Sequence, residues 1–202
     1  MISSKIIYNN EQDKFFKDVL LNKFADAMKE NFVISFGRNP GEPEYNSWRD
    51  AGEKIKNLIE LGDLKNIHVA FEYQIPYTQK RVDCLLFGKN KLEKGIIVHI
   101  ELKQWQKVEA LDCEGNFVET YTGGGLRKVV HPSQQVKGYH DYIKGFVEVL
   151  EEDKLDLIGC SYCPNYRKKE GEGLFNYNYK EILEKFPLYT NEDISELANR
   201  LK

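Results

Sequence analysis

The sequence lacks any excess of positive charge, because its 29 lysines and arginines are outnumbered by 32 aspartates and glutamates, for a formal net charge of −3. A global basic field that attracts nucleic acid is therefore excluded, and phosphate binding would need a local patch or a bound cation. No apolar run approaches the roughly 20 residues that a membrane-spanning helix requires. With 41% hydrophobic and 30% charged residues, the composition indicates a folded globular protein rather than a disordered chain.

Cysteine is also scarce, with four in the whole chain. The start, MISSKIIYNNEQDKFF, turns polar too early for a secretory signal peptide, so we expect a cytoplasmic protein with reduced thiols. Cys160 and Cys163 form a single C-x-x-C motif, but no second pair supplies the four ligands of a structural zinc site. Partly buried thiols are the favoured interpretation, and zinc is the alternative.

Apolar residues at helical spacing predict several helices in a chain whose length indicates one domain. Ser47 is the predicted N-cap of one helix, which ends at Gly62. Pro132 opens another, because the first turn of a helix tolerates a missing N–H. The segment 37–46 is predicted as a loop. The predicted helices span residues 12–30, 47–60, 131–150, 179–185 and 191–201.

Short runs rich in β-branched and aromatic residues, bounded by turn residues, predict the strands. A hairpin is predicted within 108–121, and it leads into three glycines at 123–125. The predicted fold class is therefore α/β, with a mixed central sheet of about four strands flanked by helices. The strands expected in this sheet span residues 68–75, 81–87, 96–104 and 155–163.

The third of these strands carries polar residues that need an explanation. Alternation places Glu101 and Lys103 on one face, and Ile100 and Leu102 on the other. The run before them is apolar on both faces, as in a covered central strand, so the charges require compensation. Two interpretations remain open: a strand end with a weak surface ion pair, or a catalytic carboxylate and lysine that face a cleft.

The preceding strand contains an aspartate, a residue disfavoured in strand interiors. Alternation places Val82 and Cys84 on one face and Asp83 on the other. If the two strands pair antiparallel through the loop at 88–95, Asp83 lies opposite Glu101. Adjacent carboxylates repel each other unless a divalent cation lies between them, and hard oxygen ligands favour Mg²⁺ or Mn²⁺ over zinc.

The order of these residues resembles a known signature. Asp83, followed on the next strand by Glu101-x-Lys103, is similar to the motif of PD-(D/E)XK nucleases. Further along the chain, Gln135-x-x-x-Tyr139 is similar to the Q-x-x-x-Y motif of the RecB-like branch. It lies on the predicted helix where that branch carries it. The resemblance implies a PD-(D/E)XK, restriction-endonuclease-like core.

A longer series of segments resembles the N-terminal, nuclease-like region of bacterial schlafen-related DNA/RNA helicase proteins. The resemblance covers roughly residues 45–190 and leaves 1–44 as an N-terminal helical extension of a single domain, 1–202. In those proteins a P-loop helicase domain follows, but no G-x-x-x-x-G-K-[ST] occurs here, so the chain is an excised domain or a stand-alone relative. The matching segments are Glu72–Pro76, Lys80–Asp83, Ile100–Trp105, Gly123–Gly125 and His131–Ser133.

The resemblance implies a Mg²⁺ site formed by Asp83, Glu101 and the backbone carbonyl of Leu102, with Mn²⁺ as a substitute. Such a metal polarises the phosphodiester, lowers the pKa of a bound water and stabilises the leaving oxygen. Glu72 is a candidate further ligand, and a salt bridge to Arg81 or Lys80 is the alternative of equal weight.

The other implied catalytic residues are Lys103, Gln135 and Tyr139. Lys103 would orient or deprotonate the attacking water, or neutralise charge in the transition state. Gln135 and Tyr139 are four residues apart and share one helix face, from which they would hold Lys103 or a phosphate. Glu53 is a candidate further acid, although an exposed helix face is the favoured interpretation for it.

Five basic residues are candidate nucleic-acid contacts. Arg81 comes two residues before Asp83. The backbone around His131 could receive an anion, and a helix-cap role is the alternative for this histidine. The loop that contains Arg167, Lys168 and Lys169 is interleaved with aromatic residues and could bind phosphates and stack bases, or be a solvated loop.

The function predicted from the sequence is metal-dependent hydrolysis of phosphodiester bonds, with DNA favoured over RNA as the partner. A helicase domain in cis or in trans is a candidate protein partner, in DNA repair or phage defence. The rival hypothesis is a catalytically inactive module of the same fold that binds nucleic acid or a partner.

Overall fold

The computed structural model describes residues 5–90, 92–111, 115–146 and 155–202. Nine strands are present in these segments, in two sheets. They are β1 (Ile6–Glu11), β2 (His68–Gln74), β3 (Arg81–Lys89), β4 (Gly95–Leu102), β5 (Val108–Ala110), β6 (Phe117–Thr122), β7 (Gly125–Val130), β8 (Asp156–Cys163) and β9 (Leu188–Thr190).

The larger sheet has six strands in the order β1-β2-β3-β4-β8-β9. The first four pair antiparallel, whereas β8 lies parallel to β4, and β9 lies parallel to β8. The mixed central sheet is therefore confirmed, but it has six strands rather than about four. The sequence missed its two edge strands: β1 reads IIYNNE with little alternation, and β9 has three residues.

Six α-helices occur in the described residues, and most pack against the larger sheet. Three single-turn 3₁₀ helices lie at Gly173–Phe175, Tyr177–Tyr179 and Asn191–Asp193. The α-helices are α1 (Gln12–Leu20), α2 (Phe24–Phe36), α3 (Glu42–Leu61), α4 (Pro132–Phe146), α5 (Lys180–Lys185) and α6 (Ile194–Arg200). The prediction for α4 extended to residue 150, and its last four residues lie outside the described segments.

The N-terminal segment differs most from its prediction as a helical extension. Its first element, β1, pairs with β2 and so belongs to the central sheet. The helix predicted at 12–30 is two helices, because Asn22 adopts a left-handed backbone (φ 54°) between them. The helix predicted to start at Ser47 starts at Glu42, with Gly41 as its cap and a proline in its first turn.

Two apolar cores lie on opposite faces of the larger sheet. One is formed with α1, α2, α3 and α6 and contains Ile55, Phe71 and Ile100; the other lies under α4 and contains Val82 and Tyr139. A third cluster joins the three-stranded sheet of β5, β6 and β7 to α5. None of the helices in the described segments is long and apolar enough to cross a membrane.

The three glycines after β6 form a tight hairpin. Gly123 and Gly124 have φ values of 58° and 82°, which suit a two-residue turn, and Thr122 pairs with Gly125 across it. The sequence predicted the first hairpin, β5–β6, but missed the strand β7. The predicted turn at 113–116 falls partly outside the described residues.

Three of the four cysteines lie in the described segments. All three are free thiols, and they are fully buried rather than partly buried as predicted: Cys84, Cys160 and Cys163. Burial raises the pKa of Cys160 and of Cys163 to about 12. These thiols are therefore protonated at neutral pH. Cys113 lies outside the described residues.

Candidate functional site

The pairing of β3 with β4 places the two predicted metal-binding carboxylates side by side. Cys84 is the partner of Ile100 in this antiparallel ladder, so the next position along brings Asp83 opposite Glu101. The two carboxyl groups interact strongly, since each changes the pKa of the other. The antiparallel pairing predicted from the sequence is confirmed.

Glu101 is a buried carboxyl group at the centre of this cluster, with only 1% of the residue exposed. Its Oε1 atom accepts a hydrogen bond from Gln135 Nε2 (2.6 Å) and contacts Lys103 Nζ. Its Oε2 atom has no hydrogen-bond partner in the described part of the chain. Burial, reinforced by the charge of Asp83, raises the pKa of Glu101 to about 8, so this group holds a proton at neutral pH when no cation is bound.

The side chain of Asp83 is held by the backbone of the neighbouring strand, β4. Its Oδ2 atom accepts a hydrogen bond from the backbone N–H of Leu102 (2.8 Å). Burial raises the pKa of Asp83, although the charge of Lys103 and this N–H group act in the other direction. Because both carboxyls are buried and adjacent, the pair favours sharing a proton over carrying two charges.

Glu72 is the third carboxylate, and its backbone is unusual. It has a left-handed φ of 55° within β2, a conformation that costs a non-glycine residue about 1–3 kcal/mol and that clusters at functional sites. Trp48 donates its indole N–H to Oε1 (3.0 Å), and Arg81 lies 3.0 Å from Oε2. Burial and the charge of Asp83 raise the pKa of Glu72 to about 7. The predicted alternative, a salt bridge to Arg81, is therefore present.

The left-handed residue, Glu72, lies where the alternation of side chains between the two faces of the sheet is interrupted in β2 and in the adjacent strand β3. Phe71 packs in the core of α1–α3, whereas Tyr73 packs under α4. In the adjacent strand, Cys84 packs in the first core and Val82 in the second. The prediction that Val82 and Cys84 share a face is therefore wrong, because simple alternation does not hold across Asp83.

Lys103 is the cation of the cluster. Its side chain is 20% exposed, and its ammonium group lies 5.6 Å from the centroid of the Trp105 ring. Burial would lower the pKa of Lys103, but the carboxylates of Glu101 and Asp83 outweigh burial and raise it. This lysine therefore carries its charge throughout the neutral range and partly compensates the three carboxyl groups.

A cleft of about 520 Å³ opens over this cluster, between α3, the strand ends and the β6–β7 hairpin. Glu101 lies beneath the cleft rather than on its wall. The predicted candidate Glu53 is exposed and does not line it, whereas Asp50 of the same helix does. Nothing in the sequence singles out Asp50, because its position at the cleft depends on how α3 docks on the sheet. The lining includes Trp48, Asp50, Glu72, Asp83, Leu102, Lys103 and Trp105.

Helix α4 brings Gln135 and Tyr139 to the other side of Glu101, and the shared helix face predicted from their spacing is confirmed. Gln135 Nε2 lies 2.8 Å from the hydroxyl oxygen of Tyr139 as well as bonding to Glu101. Burial and the nearby charge of Glu101 raise the pKa of Tyr139, which stays neutral. Close approach of α4 requires Gly159 on β8, because a Cβ there would lie 2.7 Å from Val136.

The predicted nucleic-acid contacts are dispersed. Arg81 borders the cluster, but His131 is fully buried and acts as a helix cap, accepting a hydrogen bond from the N–H of Ser133 (3.1 Å). Of the exposed loop cations, Lys168 lies 3.4 Å from Asp193, and Lys169 lies at the same distance from Glu172. The structure does not bring these loop residues or His131 into the carboxylate cluster.

Whether this cluster fits a divalent cation depends on which oxygen atoms are available as ligands. Among the described residues, no group of three histidine, cysteine, aspartate or glutamate side chains is arranged to hold a metal ion. Hydrogen-bond donors of the protein contact some of the carboxylate oxygens instead, as Lys103 and Gln135 do at Glu101. Two features fit Mg²⁺: the donors of Asp83 and Glu101 are hard carboxylate oxygens, and the buried Oε2 of Glu101 has no partner within the described segments.

Comparison with known proteins adds no relative to this picture. The chain matches no protein family, no curated protein and no solved structure.

Proposed function

We propose that the protein is a metal-dependent nuclease of PD-(D/E)XK type. The observation that carries the proposal is the meeting of three neighbouring carboxyl groups, Glu72, Asp83 and Glu101, with Lys103 at one end of the sheet. Burying so many ionisable groups together is unfavourable for folding. Perturbed titration of this kind in a cleft is typical of functional sites.

Asp83 and Glu101 are the groups that would hold Mg²⁺ or Mn²⁺, together with the backbone carbonyl of Leu102 and, as a further candidate, Glu72. When bound there, such a cation would supply Lewis-acid chemistry to the phosphodiester and to an attacking water. Lys103 lies beside the same carboxylates and would orient the attacking water or offset negative charge in the transition state.

Gln135 and Tyr139 act as positioning residues in this proposal. Gln135 holds the Glu101 oxygen that Lys103 also contacts, so it sets where the lysine points. Gln135→Ala should lower turnover at least tenfold, about 1.4 kcal/mol of transition-state stabilisation, and Tyr139→Phe should lower it less. Gln134→Ala is the matched control on the adjacent position. Wild-type turnover for both cluster variants, with melting temperatures unchanged, would contradict the positioning role.

Nucleic acid is the proposed substrate, and DNA is favoured over RNA because of the resemblance described above. The decisive assay uses purified protein with labelled single-stranded and double-stranded DNA and RNA. Cleavage should require Mg²⁺ or Mn²⁺, stop with EDTA and return on adding back the metal, since the ligands are oxygens. Cleavage that persists in EDTA would rule out this site as its source.

The rival function is nucleic-acid binding without hydrolysis, by this domain alone or beside a helicase domain. It is favoured by the lack of a ready three-residue metal group in the described segments and by the contact of Lys103 with Glu101. The same assay separates the two hypotheses. Tight binding of an oligonucleotide that remains intact with either metal would support the rival.

A further inference from the structure

A second pocket, of about 460 Å³, lies beside the carboxylate cleft, on the far side of Arg81. Its walls carry three cationic side chains, those of Lys5, Arg38 and Arg81, although the chain as a whole is acidic. The sequence could not predict this group, because its members come from three distant segments.

Two phenylalanine rings hold the cations in place. Lys5 Nζ lies 4.8 Å from the centroid of Phe36, and the guanidinium carbon of Arg38 lies 4.7 Å from that of Phe32. Arg81 stacks within 5.3 Å of the same Phe32 ring. Cation–π contacts of this kind orient charged groups without neutralising them, so the cations remain able to bind an anion.

Among the described residues, nearby carboxylates neutralise one of the three cations. Arg81 pairs closely with Glu44 (2.7 Å) and Glu72 (3.0 Å). Arg38 is 3.9 Å from Glu44 and its side chain is 61% exposed, which leaves a weak pair. Lys5 donates to a neutral backbone carbonyl (2.5 Å). The pocket therefore keeps a net positive charge.

The pocket and the cleft are separated by two walls that are in contact with each other. Arg81 and Phe32 line the pocket, whereas Glu72 and Trp48 line the cleft. The two walls touch through the Arg81–Glu72 ion pair and through the rings of Phe32 and Trp48, whose centroids are 5.4 Å apart. An anion in the pocket is therefore a close neighbour of a group bound in the cleft.

We propose that this pocket binds a phosphate of a nucleic-acid strand whose adjoining phosphodiester lies in the cleft. The inference rests on the proposed function and adds a substrate subsite to it. Lys5 and Arg38 supply the charge, and the exposed guanidinium of Arg38 suits the oxygens of a phosphate group. A phosphate within the strand and one at its end offer the same chemistry, and the experiment distinguishes them.

The test measures binding of fluorescein-labelled single-stranded oligonucleotides by anisotropy in EDTA, where cleavage does not occur. Lys5→Ala/Arg38→Ala should weaken binding at least tenfold and reduce the slope of log Kd against log salt by about 0.7 for each phosphate that the variant no longer neutralises. Lys17→Ala/Lys144→Ala removes the same charge from exposed positions outside the pocket and should change Kd less than twofold. Arg38→Ala alone, at an exposed side chain, guards against loss of folding in the double variant.

Comparing 5′-phosphorylated with 5′-hydroxyl oligonucleotides identifies the phosphate. An Arg38-dependent preference for the phosphorylated strand assigns the pocket to a terminal phosphate, whereas equal binding of the two assigns it to an internal one. Wild-type affinity for Arg38→Ala and for the double variant, at unchanged melting temperature, would overturn the proposal. The experiment measures binding without metal, so it is independent of cleavage. A protein that binds through Lys5 and Arg38 but never cleaves would support the phosphate pocket and contradict the nuclease function.

Discussion

Replacing Glu101 with Gln is expected to abolish nucleic-acid cleavage without unfolding the protein. The amide keeps the shape of the side chain and its oxygen still accepts from Lys103 and Gln135, but it cannot supply a charged ligand to a cation. Turnover should fall at least a thousandfold, about 4 kcal/mol. Asp83→Asn should behave in the same way, because its amide oxygen can keep the hydrogen bond from Leu102. Single-turnover cleavage of labelled DNA at saturating Mg²⁺ measures both losses.

The stability of the same variant tests the electrostatic account of the site. The pKa of Glu101 is raised from 4.5 to about 8 in the folded protein, so folding binds a proton between these values. The stabilisation is complete below pH 4.5 and is lost as the pH rises to about 8. Glu101→Gln should therefore flatten the decline in melting temperature over this range and should melt higher than wild type at pH 8.

The control for these measurements is Glu109→Gln, which makes the same change at an exposed position of β5. It should leave cleavage and the pH profile of melting unchanged. A Glu101→Gln protein that cleaves DNA at the wild-type rate would remove this residue from the metal site. One that is unfolded at all pH values would show that the carboxyl group is structural.

The central strands could be predicted from the sequence because their patterns are set locally. In β4, apolar residues on both faces indicate a covered strand, and the polar residues Glu101 and Lys103 mark where that pattern breaks. The edge strands β1 and β9 carry no comparable signal, since their pairing depends on neighbours that lie far away in the chain. The start of α3 differs from its prediction because Gly41 and Pro43, which are also typical of loops, form the helix cap and first turn here.

The part of the site that depends on the register between β3 and β4 could be predicted from the sequence. The spacing of Asp83 and Glu101 on two strands joined by a short loop was enough to place them opposite each other. The left-handed backbone of Glu72 could not be foreseen, because nothing local to a glutamate favours that conformation. Asp50 and the cations of the second pocket depend on how α2 and α3 dock on the sheet, which a single sequence does not specify.

Lys103→Met is expected to separate metal binding from turnover. Lys103 contacts the Glu101 carboxyl group that would bind the cation, so at a pH where both carboxyl groups are ionised its removal should leave Mg²⁺ affinity equal or higher. Turnover should nevertheless fall at least a hundredfold, about 2.8 kcal/mol. Calorimetric titration with Mg²⁺ gives the affinity, and single-turnover cleavage gives the rate. Lys107→Met, at an exposed position four residues on, should change neither.

A purely electrostatic role for Lys103 makes a different prediction at high pH. The lysine charge lowers the pKa of Asp83 and of Glu101, so Lys103→Met raises both and shifts metal binding to higher pH. If the lysine only keeps the carboxyls ionised, saturating Mg²⁺ at pH 9 should restore wild-type turnover. If it orients water or offsets charge in the transition state, the rate stays low even when the metal is fully bound. Full recovery at pH 9 would therefore remove Lys103 from the catalytic residues and leave it as a counter-ion of the metal site.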